Sequence, residues 1–172
     1  MTNLFSDFDG YPSKKLSKED EPELQLLMEC CEDMFLLIEG KTPPSTAAQE
    51  LLSKIPEGRT LKDKYVFGFY SDQNILISVL DLIENYKKDK MWFVGLLLID
   101  PAFRNKGIGK EIIEFLKTAL KENQAATIIL SVVEQNKSAL RFWQRFGFME
   151  VERKTKLFRE KMSTFIDFKL DL

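Results

Sequence analysis

Histidine is absent from this 172-residue sequence, and cysteine occurs only twice. Metal centres built on His or Cys ligands are thereby excluded or nearly so, as are Ser/His and Cys/His nucleophilic arrangements, and no metal is expected. Cys30 and Cys31 adjoin each other in an apolar stretch, where neighbouring cysteines rarely satisfy disulfide geometry. They read as reduced, buried packing residues. No apolar run approaches the roughly 18 residues needed to span a bilayer, so no membrane partner is expected. The opening Met1-Thr2-Asn3-Leu4-Phe5-Ser6-Asp7 has neither a positive leader nor an apolar centre, which predicts no signal peptide and a cytoplasmic location. A formal net charge of -2 provides no basic field, and no nucleic-acid partner is expected.

What is present is the composition of a soluble globular protein, 44% hydrophobic and 30% charged, in a length suited to one domain over residues 1–172. Residues 1–12 show no period and are expected to lie loosely on the surface. Lys14 to Ser17 reads as a short strand. Leu24, Leu27, Met28, Cys31, Met34, Phe35 and Ile38 recur at helical steps, predicting one helix that ends near Gly40. Pro43 and Pro44 break the chain, and Ser45 is placed to cap a second helix to about Lys54.

Tyr65 to Tyr70 and Ile75 to Asn85 read as a hairpin around the turn-forming Ser71-Asp72-Gln73-Asn74. Met91 to Ile99 is almost wholly apolar, as a strand covered on both faces would be. A helix is expected through Ile108, Ile112, Ile113, Leu116 and Leu120, then a strand over Thr127 to Val133 and a helix over Lys137 to Phe146. Strands from Gly147 to about Arg153 and from Thr164 to Leu170 complete the order β-α-α-β-β-β-α-β-α-β-β, a mixed α/β fold.

The informative segment is Asp100-Pro101-Ala102-Phe103-Arg104-Asn105-Lys106-Gly107-Ile108-Gly109-Lys110, between a buried strand and an amphipathic helix. A helix start carries unpaired backbone N–H groups that favour an anion. Two glycines let a phosphate approach the main chain, and Arg104, Lys106 and Lys110 add positive charge. The Walker pattern fails, because one residue separates Gly107 from Gly109 and Glu111 follows Lys110. The dinucleotide pattern fails as well, because its third small residue is here Ile112.

Arg104, Gly107 and Gly109 do meet the pattern Arg/Gln-x-x-Gly-x-Gly/Ala, and here the chain resembles the GNAT acyltransferase superfamily. Asn136, Ala139, Trp143 and Gly147-Phe148 resemble that superfamily's second signature, and Leu97-Leu98-Ile99-Asp100-Pro101 resembles its strand feeding the pyrophosphate loop. The match is best over residues 64–153. The resemblance implies a central, strongly twisted mixed sheet of six to seven strands flanked by about four helices, with strands 91–99 and 126–133 splayed apart. It implies acetyl-CoA as co-substrate, its pyrophosphate on Arg104, Asn105, Lys106, Gly107, Ile108, Gly109 and Lys110. The pantetheine arm would run along Leu97, Leu98 and Ile99, near Asn136, Ala139, Phe142 and Trp143.

The implied activity is N-acetyl transfer from acetyl-CoA to a primary amine of a small molecule or peptide, by direct attack in a ternary complex. A non-catalytic acyl-CoA sensor is the alternative. Many superfamily members carry a tyrosine acid where this chain has Trp143, so the proton donor is left to water, to Tyr86 or to positioning alone. Candidate bases are the carboxylates at strand ends: Asp81, Glu84, Asp100 and Glu134. Glu39, Glu57, Asp81 and Glu84 would suit a cationic acceptor. A homodimer is expected through the last strand, Thr164 to Leu170, read as an exposed edge.

Overall fold

A computed structural model describes residues 4–5 and 8–172. Its elements are β1 (Ser13–Lys15), α1 (Glu21–Cys30), α2 (Glu32–Glu39), α3 (Ala47–Ser53), β2 (Lys64–Tyr70), β3 (Leu76–Ile83), β4 (Met91–Ile99), α4 (Ile108–Glu122), β5 (Thr127–Val133), α5 (Lys137–Arg145), β6 (Met149–Phe158) and β7 (Lys161–Asp171). The strands form one seven-stranded sheet in the order β1-β2-β3-β4-β5-β7-β6, in which only β4 and β5 run parallel.

Period-two alternation sends neighbouring residues of the central strands to opposite faces, and both faces are buried. Phe67, Phe69, Leu80 and Leu82 join Ile112, Ile113, Leu116 and Leu120 of α4 in one cluster, while Val66, Tyr70 and Val79 join Leu24, Leu27 and Met28 of α1 in the other. The apolar stripe of α4 is thus spent on the sheet. Each of its large side chains contributes about 1.5–3 kcal/mol by leaving water, so a charge at Ile112, which is fully buried, would disrupt this layer.

Several sequence expectations are corrected. The helix predicted across Cys31 is two helices. Cys31 has φ -95° and ψ 29° and lies between α1 and α2, its thiol turned to donate to the Ile99 carbonyl at 3.4 Å. This redirects α2 toward the sheet and brings the helix count to five. Cys30, read as buried, is exposed. The N-terminal segment is not loose where it is described: Leu4 and Phe5 are buried, and the Phe5 ring packs on Phe67, Phe69 and Phe115 at 4.8–5.3 Å between centroids. The rest of the interval called loose includes residues 1–3 and 6–7, which lie outside the described residues. A sparse polar stretch conceals these aromatic anchors from any periodicity reading.

The final strand is not an edge. β7 is flanked by β5 and β6, and β6 forms the outer edge. The β6–β7 hairpin is also longer than read, turning at Arg159 and Glu160, because the largely charged run Glu152 to Lys156 conceals the continuation of β6 past Arg153.

Candidate active site

β4 and β5 pair only from Met91 with Thr127 to Val94 with Leu130, although β4 continues to Ile99 and β5 to Val133. The ladder stops because Gly95 is a bulge: Asp81 faces Leu96 and Leu82 faces Val94, leaving Gly95 without a partner on β3. A bulge bends its strand and increases local twist, so the outer halves of β4 and β5 diverge. The resulting cleft belongs to a cavity of about 510 Å³ lined by Gly95, Leu96 and Leu97 on one side and by residues 130–133 on the other. Leu97 borders it, whereas Leu98 is buried on the opposite face and Ile99 lies beyond the lining.

The strand leads into the glycine loop. Asp100 accepts from the Ala102 N–H at 2.8 Å, setting a short turn, and Gly107 then starts α4 with φ +91°, a conformation open to glycine and strained for L side chains. Asn105 is left-handed too, at φ 60°. The first α4 bond runs from the Glu111 N–H to the Gly107 carbonyl at 3.0 Å, so the N–H groups of Ile108, Gly109 and Lys110 have no partner within the helix and give its start an anion-binding character. Lys106 and Lys110 are exposed beside it.

Arg104 serves the loop differently. Its Nε donates to the Ile99 carbonyl at 2.9 Å, and Nη2 donates to Asp33 Oδ1 at 3.0 Å while Nη1 pairs with Oδ2. This fork ties the loop to α2 and holds the Asp33 carboxyl below its ordinary range. The Ile99 carbonyl also takes the Cys31 thiol, whose burial pushes its pKa up to about 12, so it is no thiolate nucleophile at neutral pH.

On the far side of the cleft, Asn136 caps α5 by accepting from the Ala139 N–H at 3.0 Å. Asn136, Ala139 and Trp143 line the cavity; Phe142 packs behind Gly109, where an added Cβ would come within 3.3 Å of its ring. Trp143 is buried edge-on to Phe142 and Phe148. Gly109 at the start of α4 and Phe142 of α5 therefore pack together, although none of residues 100–110 lines the cavity itself.

Residues 25–148 match the profile described as "Acetyltransferase (GNAT) family". The chain belongs to the GNAT acetyltransferase family. The mixed α/β architecture, with its seven-stranded sheet and five helices among the described residues, matches this family's fold. An acetyltransferase from Thermus thermophilus superposes with a TM-score of 0.74, at 20% identity and covering 94% of this chain and 96% of that one. The ribosomal-protein-S18-alanine N-acetyltransferase of Escherichia coli gives 0.69, at 14% identity and covering 93% and 92%. At such identities the likeness shows the fold alone.

In sequence, the chain is 36% identical over 66 residues to the spermine/spermidine N(1)-acetyltransferase of Bacillus subtilis, covering 38% of this chain and 43% of that protein. It is 31% identical over 67 residues to N-alpha-acetyltransferase 30 of Xenopus laevis, covering 39% and 23%. The chain thus spans less than half the length of the curated relatives it matches.

The remaining predicted residues of this GNAT protein are scattered. Asp81 lines the cavity, almost completely buried, and its Oδ1 accepts from Lys64 Nζ at 2.6 Å. Burial pushes its pKa up, opposed by the Lys64 ammonium. Glu134 lies outside the lining, paired with Arg153 at 2.6 Å. Tyr86 also lies outside it, stacked on Phe93 at 4.7 Å. Glu84 accepts from the Tyr65 hydroxyl at 3.0 Å, Asp100 is the loop's cap, and Glu39 borders the cavity whereas Glu57 does not. Among the described residues no tyrosine lines the cavity.

Four participants escaped the sequence reading. Nothing local marks Lys64 or Asp33, whose partners lie 17 and 71 positions away. Gly95 was the one legible signal, since a lone glycine within an apolar strand marks a bulge or a close approach. Arg159, at the β6–β7 turn, also borders the cavity, brought there by the longer hairpin.

Proposed function

We propose that this GNAT protein transfers the acetyl group of acetyl-CoA to a primary amine by direct attack in a ternary complex. The observation that carries the reading is the β4–β5 cleft, open beyond Val94 and Leu130, with β4 leading on into the start of α4 and a buried carboxylate in the cavity wall. The α4 N–H groups, Lys106 and Lys110 would hold the pyrophosphate. The β4 edge facing the cleft would pair with the pantetheine amides as an added strand does. When bound, acetyl-CoA supplies an activated thioester carbonyl.

Asp81 is the carboxylate placed to take a proton from the acceptor. The amine nitrogen bonds to the acetyl carbon as the carbon–sulfur bond breaks. The original ammonium sheds two protons, one to Asp81 and then solvent, the other to the departing sulfur, so an amide, a thiol and one free proton result. A backbone N–H of β4 would stabilise the developing oxyanion. With Trp143 in the usual acid position, proton delivery to sulfur falls to water.

The test is amine-dependent release of free thiol from acetyl-CoA, followed against pH. The reading expects release that rises with pH through the elevated pKa of Asp81, and an acid limb removed in Asp81→Asn. Acetyl-CoA binding without thiol release to any amine would instead favour a non-catalytic sensor, to which the missing tyrosine also points.

A further inference from the structure

The cavity is bordered in part by α2, α3 and the β6–β7 turn. Its walls there are Phe35, Ile38, Leu51, Ile55, Phe158 and Phe165. Apolar walls with few polar groups orient and select the body of a ligand. Three carboxylates border the cavity, Glu39, Glu50 and Asp81, and each already has a cation. Asp81 holds Lys64 at 2.6 Å. Arg159 Nε pairs with Glu39 at 2.9 Å, and Arg159 Nη2 pairs with Glu50 at 2.8 Å.

The Arg159 fork is held in place by the turn that carries it. Lys161 Nζ donates to the Leu37 carbonyl at 2.8 Å, and Glu160 pairs with Lys41, so the two residues that follow Arg159 grip the end of α2. Glu39 keeps only 12% of its side-chain surface exposed, which makes its partner costly to remove without replacement. The other cations bordering the cavity are Lys54 and Lys156. Among the described residues neither has a carboxylate within ion-pair distance; Lys156 Nζ instead lies 4.8 Å from the centre of the Phe165 ring. The cavity therefore offers a second ammonium group no free acid and two cations that repel it.

Resting on the acetyltransferase reading, we infer that the acceptor is a single primary amine carried on an apolar body, and that Arg159 is the specificity-determining residue that bars polyamines by occupying Glu39 and Glu50. The reactive amine meets Asp81 while its body lies against the apolar walls. A polyamine would place a further charge at the Arg159 site, where the carboxylates are taken.

The test measures kcat/KM with acetyl-CoA for phenethylamine and spermidine, in the wild-type chain, Arg159→Gln and Arg159→Lys, with acetyl-CoA binding followed separately by calorimetry. The wild type should favour phenethylamine by about tenfold or more, the range over which an apolar pocket discriminates. Arg159→Gln should shrink that preference by roughly tenfold, chiefly through a lower KM for spermidine, and Arg159→Lys should restore it. A wild type that prefers spermidine would overturn the inference, as would an Arg159→Gln variant that raises KM for both amines equally, the mark of a purely structural residue. In either case, intact acetyl-CoA binding and thiol release would leave the acetyltransferase reading standing. Absence of acetyl-CoA binding by the folded wild type would overturn both.

Discussion

A Cβ built on Gly95 would lie 2.5 Å from Oδ2 of Asp81, closer than any real side-chain carbon approaches an oxygen. The bulge residue of β4 and the cavity carboxylate of β3 therefore occupy one space, and the strand opens where the carboxylate needs room. Gly95→Ala is expected to push Asp81 aside, destabilising the protein by about 1–3 kcal/mol and lowering turnover by roughly 10- to 100-fold. Thermal unfolding and amine-dependent thiol release check the two effects, and acetyl-CoA affinity should change less than turnover.

Lys64 and Asp81 are both nearly inaccessible, with 4% and 9% of their side-chain surfaces exposed. Removing one partner leaves a buried charge, so Lys64→Met should cost about 3–5 kcal/mol. The double change Lys64→Met with Asp81→Leu should recover most of that loss, because nothing charged then remains buried. Denaturant unfolding of the single and double variants measures the coupling; equal loss in both would show that the pair is not an energetic unit.

Much of this architecture was legible in the sequence, for identifiable reasons. The strand over Met91–Ile99, the glycine loop and α4 each carry strong local signals: unbroken apolar character, a turn at Asp100-Pro101, and a helical stripe. What escaped depends on distant partners. Asp33 meets Arg104 across 71 positions, and Arg159 reaches Glu50 across 109. No local period encodes such meetings. Phe5 was missed for a related reason, since an isolated aromatic becomes an anchor only through the strands that receive it.

Phe5 is 2% exposed and packs tilted or edge-on against Phe67, Phe69 and Phe115. Phe5→Ala is expected to destabilise by about 3–5 kcal/mol, read as a shifted denaturation midpoint with an unchanged slope. An N-terminal segment that contributed nothing would leave the midpoint where it is.

The Asp33–Arg104 fork predicts an acid-sensitive loop. The hydrogen bonds from Arg104 lower the Asp33 pKa below its ordinary 3.8, so this contribution is fully present above the unfolded-state value and is lost as pH falls through the lower folded value. Both side chains are partly exposed, which limits the effect on stability to below about 1 kcal/mol. Asp33→Asn should thus differ from the wild type above about pH 4 and converge with it in stronger acid, as thermal unfolding across pH will register. A gap that widened toward acid would reverse the assigned sign.

If the start of α4 holds acetyl-CoA, calorimetric titration of the wild type and of Gly107→Trp will differ. The backbone at φ +91° is strained for tryptophan, and its bulk stands where a phosphate must approach. Saturable binding by the wild type, lost in a variant that remains folded, is the predicted result; no binding by the folded wild type, or equal binding by both, would mean that the start of α4 does not hold acetyl-CoA.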